Sequence, residues 1–150
     1  MKRIRIYADT SVIGGCLDDE FSETSRGLLE AASAGRFALL LSDLLAVELE
    51  RAPTEVQSVL TELPTEAFER VQSNEESVRL RDAYLSAGVV TRKHAADAHH
   101  IALATVSRAD VLVSWNFKHI VHWDKIRAFN AVNLKEGYPQ IEIRSPREVV

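Results

Sequence analysis

The sequence predicts an α/β fold: a central, mostly parallel sheet with helices on both faces. Three observations carry that prediction. Short aliphatic runs alternate with longer segments of helical period, the first two runs stand too far apart for a hairpin, and residues 37–41 are continuously apolar, as in a strand buried on both faces. Taken in order, Ile4, Ile6 and Ala8 alternate with Arg3, Arg5 and Tyr7 and form the first strand. Thr10, Ser11, Gly14 and Gly15 follow as a loop that brings hydroxyls and backbone N–H groups toward a ligand. Leu28, Leu29 and Ala32 recur at helical spacing in a helix over 24–34, which stops at Gly35, where the missing Cβ admits the left-handed conformation. After the strand at 37–41, a helix over 43–52 runs up to Pro53. Thr54 with Gln57, and Ser73 with Glu76, fit capping boxes that satisfy backbone N–H groups at a helix start, and the second opens a helix ending near Gly88. A helix over 95–107, a strand over 111–115, a helix over 124–135 and a last strand around Ile141 and Ile143 complete the set. Sheets of this kind bind ligands beyond the carboxyl ends of their strands.

At 150 residues, 46% hydrophobic and 27% charged, the chain has the size and balance of one globular domain over 1–150, and collagen, a disordered tail and a membrane span are excluded. The 22 acids outnumber the 18 lysines and arginines, for a formal charge of −4. A uniformly basic face for nucleic acid is therefore not expected, and any phosphate chemistry must come from a local site. Cys16 is the only cysteine, which precludes an intrachain disulfide, and Met1-Lys2-Arg3-Ile4-Arg5 is charged where a signal peptide is apolar. The expected location is cytoplasmic.

Four polar residues stand out by position. Asp9 comes directly after the first strand, in the expected crevice, although aspartate is also favoured in turns because it caps nearby amides. Glu48 shares a helix face with Leu44 and Leu45, so its carboxylate points where the apolar stripe should be and needs a partner, for which Arg5 and Arg51 are the structural candidates. Asp97 repeats this pattern with Ile101 and Ala104 on an alanine-rich helix. Asn116 ends the third long strand, at the same sheet edge as Asp9. Each position alone has a structural explanation, but three acids and an amide at one edge are hard to explain by stability. Carboxylates brought together repel, and burial adds a desolvation cost on the order of several kcal/mol per ion. A hard divalent cation is the simplest compensation, and carboxylate and amide oxygens suit Mg2+ or Mn2+ better than zinc.

Tyr7-Ala8-Asp9-Thr10-Ser11-Val12, Val47-Glu48-Leu49, Ala96-Asp97-Ala98-His99-His100-Ile101-Ala102-Leu103-Ala104, Val111-Leu112-Val113-Ser114-Trp115-Asn116-Phe117 and the closing Ile141-Glu142-Ile143-Arg144-Ser145-Pro146-Arg147-Glu148-Val149 follow one another along the whole chain. In this order and spacing they resemble the PIN-domain family, in particular its small ribonucleases that include the VapC-like toxins of toxin–antitoxin pairs. The resemblance implies a three-layer α/β/α sandwich whose acidic cluster binds Mg2+ or Mn2+ and hydrolyses RNA. It further implies a homodimer neutralised by a cognate antitoxin protein. Asp9, Glu48 and Asp97 match the acidic motif as metal ligands and catalytic residues. Asn116 falls where many members have a further Asp; an amide oxygen is a weaker ligand but still orients water or phosphate.

Other chemistries fit less well. No His-Glu-x-x-His zinc signature is present, and adjacent His99 and His100 project to different sides of their helix; His119 and His122 would share a face only if their segment is helical. Cys16 has no base beside it, and nearby acids would raise its pKa. Gly14-Gly15 lacks both the Walker lysine and the dinucleotide-binding spacing, and Trp115 and Phe129 read as core. A phosphatase using Asp9 as nucleophile needs a second Asp two residues on, where Ser11 stands. A non-cleaving RNA- or protein-binding module stays open, because Asn116 replaces an acid.

Overall fold

Along the first strand, Ile6 and Ala8 face one way and Tyr7 the other, and this period-two division organises the fold. In the computed structural model, which describes residues 3–150, β1 (Ile4–Ala8) is the middle strand of a parallel sheet. Its companions are β2 (Phe37–Ser42), β3 (Phe68–Val71), β4 (Val111–Val113) and β5 (Glu142–Arg144), in the order β3-β2-β1-β4-β5 with every neighbouring pair parallel. Met1 and Lys2, the start of the charged N-terminal stretch, lie outside the described residues. Among the described residues the connections supply α1 (Thr10–Gly14), α2 (Ser22–Ser33), α3 (Asp43–Leu49), α4 (Thr54–Thr61), α5 (Glu75–Ser86), α6 (Ala95–Val106) and α7 (Trp123–Lys135).

Two cores result, one on each face. Ile6, Ala8, Leu39, Leu41 and Val113 pack with Val12 and Ile13 of α1, Leu28 of α2, Leu45 of α3 and Val56 of α4. Tyr7, Leu40, Leu112 and Ile143 pack with Leu80 and Tyr84 of α5, Ile101 of α6 and Phe129 of α7. The architecture is the three-layer α/β/α sandwich with a parallel sheet that the sequence predicts, and Trp115 and Phe129 are buried as expected. No helix among the described residues is long and apolar enough to cross a membrane.

Several elements differ from expectation for local reasons. Residues 10–14 are helical rather than a loop, because Val12 and Ile13 are fully buried beneath the sheet edge and a turn of helix points both inward. The edge strand β3 is unexpected, since Glu69 and Arg70 interrupt its apolar pattern. The strand predicted over 111–115 stops at Val113: side-chain oxygens replace the ladder, with the Trp115 amide donating to Ser11 Oγ and the Asn116 amide to Ser114 Oγ, both at 2.9 Å. Helix α3 ends at Leu49, before Pro53. The box at Thr54 does not form; Pro53 holds the N-cap position, and Gln57 Nε2 instead donates to the Ala52 carbonyl at 2.9 Å. The second box forms one residue later than predicted, between Asn74 and Ser77. Gly35 takes the left-handed conformation, with φ 82°.

Gly15 brings the chain after Asp9 close to Trp115. A Cβ there would stand 2.7 Å from both Ser25 Oγ and Trp115 Nε1, which are themselves hydrogen-bonded at 2.8 Å. Gly15→Ala is expected to cost about 1–3 kcal/mol, read as a lower urea midpoint at unchanged m-value; an unchanged midpoint would contradict this packing.

Candidate active site

The strand order reverses between β1 and β4, and in parallel sheets the crevice beyond the carboxyl ends at such a switch point is where ligands bind. Asp9 leaves β1 there, and Ser114, Trp115 and Asn116 leave β4 beside it. Helix α3, which carries Glu48, starts at the end of β2, where Ser42 Oγ caps it by accepting from the Leu45 amide at 3.1 Å. Helix α6 runs antiparallel to β1. The Arg5 guanidinium, near the start of β1, donates to the carbonyls of Ser107 and Arg108 just past its C-terminus at 2.9 and 3.0 Å, so its first turn, with Asp97, stands at the carboxyl edge.

Asp9 is only 4% exposed, and both of its oxygens are held by hydroxyls: Ser11 donates to Oδ1 and Ser114 to Oδ2, each at 2.6 Å. Burial pushes its pKa up, against the opposing pull of His100 and these hydrogen bonds. Asp9 occupies the N-cap position of α1 but makes no side-chain cap. Glu48 is half-buried, and neither Arg5 nor Arg51 serves as its partner; Arg5 pairs with Glu69 at 3.1 Å. His100 Nε2 and Thr10 Oγ1 instead both contact Glu48 Oε1 at 2.6 Å. Burial raises the Glu48 pKa, but these bonds outweigh it and leave the carboxyl below its ordinary value. Asp97 is partly buried with His94 Nδ1 at 3.6 Å; burial raises its pKa, His100, His119 and His94 pull it down, and Glu48 pushes it up.

His100 hydrogen-bonds only Glu48 among the three acids, and its charge also pulls down on Asp9 and Asp97. It is buried, and its Nδ1 lies 2.7 Å from the Tyr7 hydroxyl, which in turn donates to Ser42 Oγ at 2.9 Å. As placed, the carboxylates turn toward hydroxyls and His100 rather than toward one another; among the described residues no three His, Cys, Asp or Glu side chains form a ready ligand group. Asn116 is at the expected sheet edge, but its Oδ1 accepts from the amides of His119 at 2.9 Å and Lys118 at 3.2 Å and so shapes the turn. A cleft of about 360 Å3 beside Asp9 is lined by Ser11, Gly14, Phe21, Trp115 and Asn116.

The residues missed by sequence reasoning are His100, Ser114 and Tyr7; the hydroxyls of Thr10 and Ser11 are expected near a ligand, but Glu48 and Asp9 are not named as their partners. The available signal was His100 itself, three residues after Asp97 on a helix otherwise filled with Ala, Ile and Leu. His99 does point elsewhere, with Nε2 3.4 Å from Ser77 Oγ. His119 and His122 lie in the turn before α7 rather than on a helix, and His119 stacks on His94. The Cys16 thiol is pushed up by burial, with Arg26 opposing; nearby acids are not the cause.

The PIN domain family matches the chain over residues 6–118. No curated protein sequence matches it at a significant level. Among solved structures, one chain in the crystal structure of VapBC2 from Rickettsia felis bound to a DNA fragment from their promoter is similar, with 12% identity and a TM-score of 0.59. That similarity covers 95% of this chain and 98% of the other, and it shows a shared fold. The family match runs from β1 through the turn after β4 and takes in Asp9, Glu48, Asp97 and Asn116; the chain belongs to the PIN domain family.

Proposed function

We propose that this chain is a divalent-metal-dependent endoribonuclease that hydrolyses RNA phosphodiester bonds as the toxin of a toxin–antitoxin pair. The observation that carries this reading is the buried Asp9 carboxylate at the switch point of the sheet, with Glu48 of α3 and Asp97 of α6 coming from the same carboxyl edge. PIN domains are generally nucleases, and the fold shared with a chain of VapBC2 supports a cognate antitoxin; a homodimer and a cytoplasmic location are part of the same proposal.

The donor set fits a hard cation. Asp9 is a buried carboxylate whose oxygens accept from the Ser11 and Ser114 hydroxyls, and Asp97 has His94 at 3.6 Å, so among the described residues neither is paired with a lysine or arginine. Asp9, Glu48 and Asp97 would hold Mg2+ or Mn2+ through oxygen ligands. When bound, the cation neutralises charge at the scissile phosphate and acidifies a water.

The remaining work falls to the protein. Ser11 and Ser114 orient Asp9, while His100 and Thr10 fix Oε1 of Glu48. Glu48 Oε2 has no hydrogen-bond partner among the described residues, and this carboxylate, held below its ordinary pKa, is ionised and able to accept a hydrogen bond from the attacking water at Oε2 and orient it. Asn116 Nδ2 is likewise without a partner among the described residues and serves as a donor to a phosphate oxygen. A non-cleaving RNA-binding module is the second reading, favoured by the engagement of Asn116 Oδ1 in the turn.

Asp9→Asn is expected to reduce metal-dependent cleavage of RNA by about a hundredfold or more, while in chelator at neutral pH its melting temperature rises above that of the wild type. The sign follows from linkage: folding raises the Asp9 pKa, so the ionised carboxylate destabilises the fold at neutral pH, and the gain from Asn fades as pH falls toward the ordinary carboxyl range. Cleavage retained in chelator, or a fall in melting temperature, would contradict the metal-site reading. Asn116→Asp keeps an oxygen for the Lys118 and His119 amides and adds a negative side-chain charge on a residue whose backbone amide donates to Ser114, itself bonded to Asp9. The Mg2+ concentration for half-maximal cleavage is expected to fall, and superimposable titrations would remove Asn116 from any action on the metal.

A further inference from the structure

One surface of this acidic chain has the opposite sign. Segments 88–96 and 117–127 hold five lysines and arginines and three of the five histidines against the single acid Asp124, in a chain whose formal charge is −4. The two segments are joined in space. The His94 and His119 rings stack with centroids 3.6 Å apart, and Lys125 Nζ donates to the Val89 carbonyl at 2.6 Å. Arg92, Lys93, Lys118, His122 and Arg127 are exposed.

Within this basic surface stands Trp123, at 73% the most exposed of the large apolar side chains among the described residues. Its ring has the Arg127 guanidinium 5.8 Å from its centroid. Phe117, at the start of the same segment, is 46% exposed. The surface also begins at the acids: Asn116 Oδ1 caps the amides of Lys118 and His119, and His94 and His119 are the neighbours of Asp97.

An open indole among cations suits a single-stranded nucleic acid, whose unstacked bases lie on aromatic faces while its phosphates meet lysine and arginine. A duplex keeps its bases stacked and would leave the ring bare, and an apolar protein partner would leave five cations without counter-charge. We propose that this surface holds single-stranded RNA, with one base stacked on Trp123 and the phosphates at Arg92, Lys93, Lys118 and Arg127, and that it leads the strand to Asp9, Glu48 and Asp97. The choice of RNA rests on the ribonuclease reading; the single-strand chemistry rests on the surface itself.

The test uses the Asp9→Asn variant in chelator and fluorescein-labelled single-stranded RNA of about ten nucleotides, followed by anisotropy and by intrinsic fluorescence, to which Trp115 and Trp123 are the only tryptophan contributors. RNA is expected to quench the tryptophan signal. Adding Trp123→Ala should weaken binding about tenfold, whereas Trp123→Phe should keep most of the affinity and lose most of the quench. Lys118→Ala should lower the slope of log affinity against log salt by about one. Unchanged affinity in Trp123→Ala overturns the proposal, as does tighter binding of duplex RNA or single-stranded DNA, or a Trp123 that responds only to a bound protein partner. Trp123-dependent binding by a wild type that cleaves no RNA would overturn the nuclease reading and leave this surface standing; cleavage combined with Trp123-independent binding would do the reverse.

Discussion

The buried imidazole of His100 fixes the carboxyl edge of this protein. Its two nitrogens reach the Tyr7 hydroxyl from β1 and the Glu48 carboxylate from α3, Tyr7 continues to Ser42 at the end of β2, and Thr10 of α1 meets the same Glu48 oxygen. A polar group in such a place must be bonded, because removing one partner of a buried pair costs about 1–3 kcal/mol. Among the described residues no buried side-chain nitrogen or oxygen lacks a hydrogen-bond partner. The network therefore sets the relative positions of the first two strands, α1, α3 and α6 more tightly than apolar contact alone. It also explains why an inward-facing glutamate is tolerated on α3: a histidine from across the sequence meets it, and a second donor from α1 shares the load.

Asp9 obeys the same constraint from the other side of the switch point. Ser11 and Ser114 each donate to one of its oxygens and each accept a backbone amide from the chain leaving β4. One carboxylate thereby joins the end of β1 to the end of β4 and determines where β4 stops. Both acids are orientated without a lysine or arginine; the basic group that meets Glu48 is the His100 imidazole. The neighbouring surface around Trp123 carries a concentration of cations.

The sequence made the fold legible where periodicity was strong. The apolar run at 37–41, the helix before Gly35 and the helix over 95–107 are each within two residues of their structural bounds, since their burial pattern is uniform. It was least legible where side chains replace backbone pairing. The glycines at 14 and 15 suggested a loop, yet burial of Val12 and Ile13 makes residues 10–14 helical. The charges of Glu69 and Arg70 concealed an edge strand, because an edge needs apolar residues on fewer sides. Within the site, the inward placement of Glu48 could be read from helical spacing, but its partner could not: His100 lies 52 residues away, and no local pattern connects them. The role of Ser114 was equally hidden, since serine at a strand end carries no signal of whether it will face solvent or a carboxylate.

We propose that Asp9, Glu48 and Asp97 together form a cation-binding centre beside His100. The most direct measurement is an anomalous-difference map from crystals of the wild-type protein grown with Mn2+. The account predicts an anomalous peak among the three carboxylates with oxygen ligands from at least two of them. A well-ordered site with no peak at saturating Mn2+, or a peak held by other residues while these three keep their bonds to Ser11, Ser114, Thr10 and His100, would contradict it.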